Sequence, residues 1–180
     1  EVTNTISVTL NDGKLESNYD ITKNEGKLSI TPVTDEVVVK ITGNTKTETY
    51  NGNPYSVEGY TVTSISNTLY KQSDIKLNGT AKAEGTDANT YQMGLTDKDF
   101  ENTSKNFSKV TFKVTDGSLT ISPRPVTLTS ETASKPYDGT PLTKPNVTGG
   151  DGFVAGEVTE IKATGSVTTV AEGEVTNTIT

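Results

Sequence analysis

The hexapeptide Glu1-Val2-Thr3-Asn4-Thr5-Ile6 recurs unchanged as Glu174 to Ile179. A chain that begins and ends at the same point of a repeat reads as a window on a longer tandem array, in which one small unit stacks against its neighbours. Three further landmarks carry the repeat. Tyr50-Asn51-Gly52, followed by Pro54, returns 87 residues later as Tyr137-Asp138-Gly139, followed by Pro141. Ile75 to Thr80 returns after 86 residues as Ile161 to Ser166, and Asn24 to Pro32 returns after 91 residues as Thr115 to Pro123. The small drift in spacing is what loop insertions between copies of one unit produce.

The order tyrosine turn, Ile-Lys segment, Leu-x-Ile-x-Pro terminus occurs once and completely in residues 33–123. Residues 1–32 are then the back part of one repeat and 124–180 the front part of the next. Periodicity defines the period but not the phase, so two units of 1–93 and 94–180 satisfy the same repeat. The first frame is preferred because Pro32, Pro123 and Pro125 fall at its joints, where a residue unable to donate to a sheet ladder belongs.

Composition narrows the fold. Thirty-four of the 180 residues are threonine and only 30% are hydrophobic, a balance suited to pleated, half-solvated surfaces and thin cores rather than to a large enzyme interior. Val110 to Thr115 alternates apolar and polar residues, Asp116-Gly117 follows, and Ser118 to Ser122 alternates again, which predicts a β-hairpin. Tyr19 to Thr22 and Lys27 to Ile30 repeat that design around Asn24-Glu25-Gly26. Further strands are expected at 36–41, 60–66, 74–77, 126–129, 160–163 and 166–170. The one candidate for a short helical turn is Thr96 to Asn102. The expected fold is all-β: tandem small antiparallel β domains, with an immunoglobulin-like sandwich first and a β-grasp-like fold second.

The chain has no cysteine and no histidine, so disulfides, thiol nucleophiles, Cys/His zinc sites and imidazole bases are excluded. Absence of disulfides in an exported array suits a bacterial protein. A net charge of −7 with scattered basic residues argues against nucleic acid as a partner. No stretch approaches the length of a membrane span, so no membrane insertion is expected within these residues.

Each chemical motif has a structural reading beside the functional one. The Tyr50-Asn51-Gly52 and Tyr137-Asp138-Gly139 motifs present an aromatic ring, yet Asn-Gly and Asp-Gly are first of all turn formers. Asp97, Asp99 and Glu101 alternate as calcium-loop ligands do, but the sixth-position glycine and distal glutamate are missing and Val8 to Asp12 keeps one carboxylate, favouring a solvated acidic turn. Gly149 to Gly152 reads as a loop, since a phosphate cradle needs a following helix. A Lys-Asn isopeptide bond is set by contact in space, which no local spacing identifies. Four Asn-x-Ser/Thr sequons are the chance yield of this composition. Tyr55, Tyr60, Tyr70 and Tyr91 are the clustered rings that a glycan would stack on, and core packing is their better use.

Lys135 to Pro141, placed after Ile121 to Leu128, and Tyr19 to Thr22, placed before Gly26 to Pro32, resemble the YDG and MBG-type repeats of very long bacterial surface proteins. The resemblance spans essentially the whole chain on short motifs, and Tyr50-Asn51-Gly52 departs from it by one substitution. It implies an extracellular stalk or adhesin segment of a cell-wall-anchored protein, with no catalytic residues and no cofactor.

Three function classes follow. The first is a spacer whose partners are its neighbouring repeats and which projects a distal adhesive tip. The second is adhesion by the repeat itself, a strand edge or groove taking a host surface protein, a glycan or another copy. The third, a glycosidase-type enzyme, needs two opposed carboxylates in a cleft, and the acids here are dispersed. If 1–32 and 124–180 are complementary parts, domain-swapped self-association is a further expectation.

Overall fold

The computed structural model describes residues 1–180 and contains sixteen short strands and four single-turn 3-10 helices, with no α-helix. The strands are β1 (Val2–Asn4), β2 (Gly26–Leu28), β3 (Val37–Gly43), β4 (Thr45–Thr49), β5 (Tyr55–Glu58), β6 (Tyr60–Ile65), β7 (Ile75–Leu77) and β8 (Lys82–Gly85). There follow β9 (Thr90–Gln92), β10 (Phe100–Asn102), β11 (Val110–Thr115), β12 (Ser118–Ser122), β13 (Leu128–Ser130), β14 (Leu142–Thr143), β15 (Val147–Gly149) and β16 (Ser166–Val167). The protein is therefore β-rich, arranged in several small sheets.

Two three-stranded sheets dominate, ordered β11-β3-β6 and β4-β12-β9. β3 is a run of β-branched residues whose alternate side chains, Val37, Val39 and Ile41, are buried. They meet Tyr70, Leu95, Phe100, Phe107 and Phe112 in the larger core. Edge-to-face rings add to it, Tyr60 on Phe100 at 5.0 Å and Tyr70 on Phe107 at 5.2 Å, an arrangement that places ring edges against π faces. A second, smaller core sets Leu119 and Ile121 against Ala83, under Tyr50, Tyr55, Val57, Tyr91 and Met93. Burying a side chain such as Leu119 contributes about 1.5–3 kcal/mol. The clustered tyrosines thus serve the cores.

The expected hairpin of residues 110–122 does not form. β11 pairs in parallel with β3 from Val110↔Val37 to Thr115↔Thr42, and β12 pairs in parallel with β4 from Ser118↔Thr45 to Ser122↔Thr49. Both ladders keep the same offset of 73 residues, so 37–49 and 110–122 run side by side and cross from one sheet to the other together. Gly117 lacks the positive φ that a tight Asp-Gly turn requires. Asp116 instead turns its carboxylate to the backbone N–H groups of Gly94, Leu95 and Gly117, which donate at 3.0, 2.8 and 2.8 Å. The antiparallel expectation is corrected for these two ladders, which are parallel across a long connection; the other seven are antiparallel.

Elsewhere the expected strands are shorter or displaced. Residues 19–22 form no strand, and Gly26–Leu28 pairs with Val2–Asn4. Glu160 to Ala163 is reduced to one bridge, Ala163↔Ile179. The Thr96 turn is a 3-10 helix at Asp97–Asp99, after which the chain extends into β10.

Of the 15 buried residues, all but Ala163 lie between Val37 and Ile121. The accessible surface is 12867 Å², against about 8,400 Å² for a compact monomer of this mass. Residues 1–32 contain no buried residue and make no hydrogen bond beyond Pro32.

Candidate functional site

The two tyrosine turns are built alike. Asn51 Oδ1 accepts a hydrogen bond from the Asn53 N–H at 2.9 Å, and Asp138 Oδ1 accepts one from the Thr140 N–H at 2.9 Å. Gly52 and Gly139 follow with φ of 81° and 77°, the left-handed conformation that a side chain resists. Asp138 adds an ion pair with Lys135 at 2.9 Å and a bond from the Thr140 hydroxyl at 2.8 Å. These contacts, the Lys135 ammonium foremost, hold its carboxyl far below the usual carboxylate range.

The tyrosines that lead these turns differ in surroundings. Tyr50 packs on the smaller core while its hydroxyl donates to the Glu157 carboxylate. That bond raises the Tyr50 phenol above its ordinary value, assisted by desolvation. Tyr137, its counterpart, is 69% exposed, so the two turns share their backbone geometry and not the packing of the leading ring.

Around Tyr50 the segment after Pro123 closes onto the preceding sheets. Arg124 donates through Nε to the Gly152 carbonyl, bridging across 28 residues. Val154 Cγ1 lies against Gly52, near enough that a Cβ there would sit 3.0 Å from it. A cavity of about 270 Å³ remains between Tyr50, Ala88, Pro123, Val126, Phe153 and Glu157. Its two charged groups are already spoken for, Arg124 by a carbonyl and Glu157 by a phenol. These contacts set Glu157 and Val154, from the segment after Pro123, against Tyr50 and Gly52 at the end of β4. Pro125 lies within this closure. Pro32 immediately precedes Val33, whose N–H donates to the Asn106 carbonyl at 2.8 Å.

The residues singled out as calcium ligands are not brought together. Asp97 Oδ1 accepts from the Val114 N–H at 2.7 Å, and Asp99 Oδ2 accepts from the Thr96 N–H at 2.7 Å and its hydroxyl at 2.8 Å. Glu101 faces Lys76 at 3.4 Å and Asn78 at 3.3 Å, contacts that lower its carboxyl from the ordinary value, Asn78 first. No three acidic residues converge anywhere in the chain.

Sequence reasoning found the Tyr50 turn and Pro123 but missed Arg124, Phe153, Val154 and Glu157. Glu157 stands 107 positions from Tyr50, and no periodicity or spacing signals a contact made once at that separation. No helix is long and apolar enough to cross a membrane. The chain matches no protein-family model, no curated protein and no solved structure.

Proposed function

We propose that this chain is a non-catalytic tandem-repeat segment of a bacterial cell-surface protein, a stalk whose repeats set the distance between the cell wall and an adhesive tip. The observation that carries the reading is a repeated register. β3 pairs with β6 as Ile41↔Val62, Thr42↔Thr61 and Gly43↔Tyr60, and β13 pairs with β15 as Leu128↔Gly149, Thr129↔Thr148 and Ser130↔Val147. Every one of these six positions is displaced by 87 residues, the step between the two tyrosine turns. Identical pairings at the sequence period are what stacked copies of one unit produce.

Residues 33–123 are one complete repeat in this reading. It is favoured over a split near Gly94 because the ladders β11–β3, β12–β4, β12–β9 and β10–β7 all cross that position. The contacts around Tyr50, Arg124 and Glu157 are then the joint between consecutive repeats, and their role is to limit bending. The surface of the chain, well above that of a compact monomer, accords with an elongated chain.

Small-angle scattering on the dilute chain tests this. A compact 180-residue globule has a radius of gyration of about 16 Å; the stalk reading expects a clearly larger value and an elongated distance distribution. A value near that of the globule, or saturable binding of the folded chain on a glycan array, overturns it.

A further inference from the structure

We infer that Asn51-Gly52 is a site of spontaneous backbone modification, at which Asn51 converts to aspartate or isoaspartate through a succinimide and so loosens the Tyr50–Glu157 contact as the protein ages. The loosening rests on the reading of that contact as a joint; the chemistry stands on the turn alone.

Asparagine followed by glycine occurs twice, at Asn51-Gly52 and Asn78-Gly79. A following glycine leaves the attacking backbone nitrogen without a flanking Cβ to hinder its approach. The two asparagine side chains are held differently. Asn51 Oδ1 accepts the Asn53 N–H at 2.9 Å, a donor aimed at the oxygen on which negative charge develops when Cγ is attacked. The Asn51 amide nitrogen and the Gly52 N–H have no hydrogen-bond partner, so leaving group and nucleophile are both free. Asn78 has the reverse arrangement: its Nδ2 donates to Glu101 Oε2 at 3.3 Å and its Oδ1 accepts no bond.

The reaction needs only water. The Gly52 nitrogen loses its proton to hydroxide and attacks Asn51 Cγ, and the bond from Cγ to Nδ2 breaks, releasing ammonia. Water then opens the succinimide ring at one of two carbonyls. Cleavage between Cγ and the Gly52 nitrogen gives aspartate; cleavage between the Asn51 backbone carbonyl carbon and that nitrogen gives isoaspartate. One water enters, one ammonia leaves, and nothing is oxidised or reduced.

The position of the turn gives the conversion its consequence. A Cβ on Gly52 would stand 3.0 Å from Val154 Cγ1 and 3.5 Å from Glu157 Oε1, so the turn lies directly against the segment after Pro123. Aspartate at this place sets a second negative charge close to the Glu157 carboxylate, which repels it. Isoaspartate also lengthens the main chain by one methylene between Tyr50 and Gly52. The other turn shows that an aspartate is compatible with this geometry, since Asp138 Oδ1 accepts the Thr140 N–H at the same 2.9 Å. There the charge is balanced by Lys135 at 2.9 Å, a partner that the residue before Tyr50, Thr49, and its neighbours Glu48 and Thr47 do not supply.

The test uses the whole chain, kept folded in mildly alkaline buffer or unfolded in urea, with conversion at each asparagine followed by peptide mass spectrometry. The urea rates give the intrinsic reactivity of each site. Relative to them, folded Asn51 is expected to convert roughly two- to tenfold faster than folded Asn78, the rate equivalent of one hydrogen bond. Equal or slower relative conversion at Asn51 overturns the inference. Asn51→Gln, whose longer side chain does not close the five-membered ring, is expected to stay unmodified at 51 while Asn78 converts as before. Scattering of the aged parent is expected to show a wider spread of orientations about Pro123 than the fresh chain, and aged Asn51→Gln to match its own fresh sample. Conversion at Asn51 with unchanged scattering overturns the loosening, while the joint itself is judged separately by Tyr50→Phe on fresh protein.

Discussion

Gly43 and Gly117 pass each other where the two parallel strands change sheet, and neither position has room for a Cβ. A Cβ on Gly117 would lie 2.5 Å from the Asn44 carbonyl oxygen and 2.7 Å from Met93 Sδ, and one on Gly43 would overlap the Gly117 backbone. Both glycines are buried. Gly43→Ala or Gly117→Ala must push backbone from backbone, which is expected to cost about 3 kcal/mol or prevent folding. Gly26, the repeat counterpart of Gly117, has nothing within 4 Å, so Gly26→Ala is the control and is expected to leave the urea midpoint of the dilute chain unchanged.

Leu119 and Leu28 make the same comparison with side chains. Leu119→Ala empties a closed core and is expected to cost roughly 2–5 kcal/mol in equilibrium unfolding. Leu28→Ala is expected to leave unfolding of the dilute chain within about 0.5 kcal/mol of the parent, because Leu28 is mostly in water. Equal destabilisation by the two substitutions would place Leu28 in a core within its own chain and contradict the exposed position.

The proposed joint is testable through Tyr50 and Glu157. Tyr50→Phe keeps the ring on the smaller core and removes the bond to Glu157, so the unfolding midpoint is expected to hold while scattering reports a wider spread of orientations about Pro123. The pH dependence has a definite sign. The folded phenol is raised above its ordinary value of 10.0, chiefly by the Glu157 bond, so its contribution is complete below that pH and is lost as pH rises through the folded value. Joint order in the parent chain is expected to persist to about pH 10 and decline above it, with Tyr50→Phe showing no such decline.

Asp138 has the opposite sign. Its folded carboxyl is depressed, with Lys135 the first cause and the Thr140 backbone second. The contribution is complete above its ordinary value of 3.8 and is lost as pH falls towards the lower folded value. Asp138→Asn is expected to perturb the turn less than Asp138→Ala, because Asn51 makes the equivalent turn with a neutral amide. The measurement is the carboxyl carbon titration of Asp138 by NMR with the melting profile of each variant at pH 7. Equal loss in both variants would assign the turn to charge rather than to the side-chain oxygen.

Local chemistry was legible in the residues themselves. Threonine-rich alternation made the chain β-rich because β-branched side chains suit a pleated surface. Asn51-Gly52 and Asp138-Gly139 announced their turns through an oxygen that reaches its own backbone, and Thr96 announced the single helical turn it caps. The 87-residue step was equally plain. What residue patterns could not decide was who pairs with whom. The Asp116-Gly117 pattern suits a hairpin, but β11 and β12 found stronger partners in β3 and β4, 73 positions away, where Val39 and Phe112 share one core. Alternation states which side of a strand is apolar, and only the packing of the whole chain decides which strand lies beside it. The same limit hid Glu157 from Tyr50. It also explains why one motif is buried at Leu119 and Ile121 and exposed at Leu28 and Ile30: burial belongs to the neighbours a segment meets, and those neighbours are assembled in three dimensions.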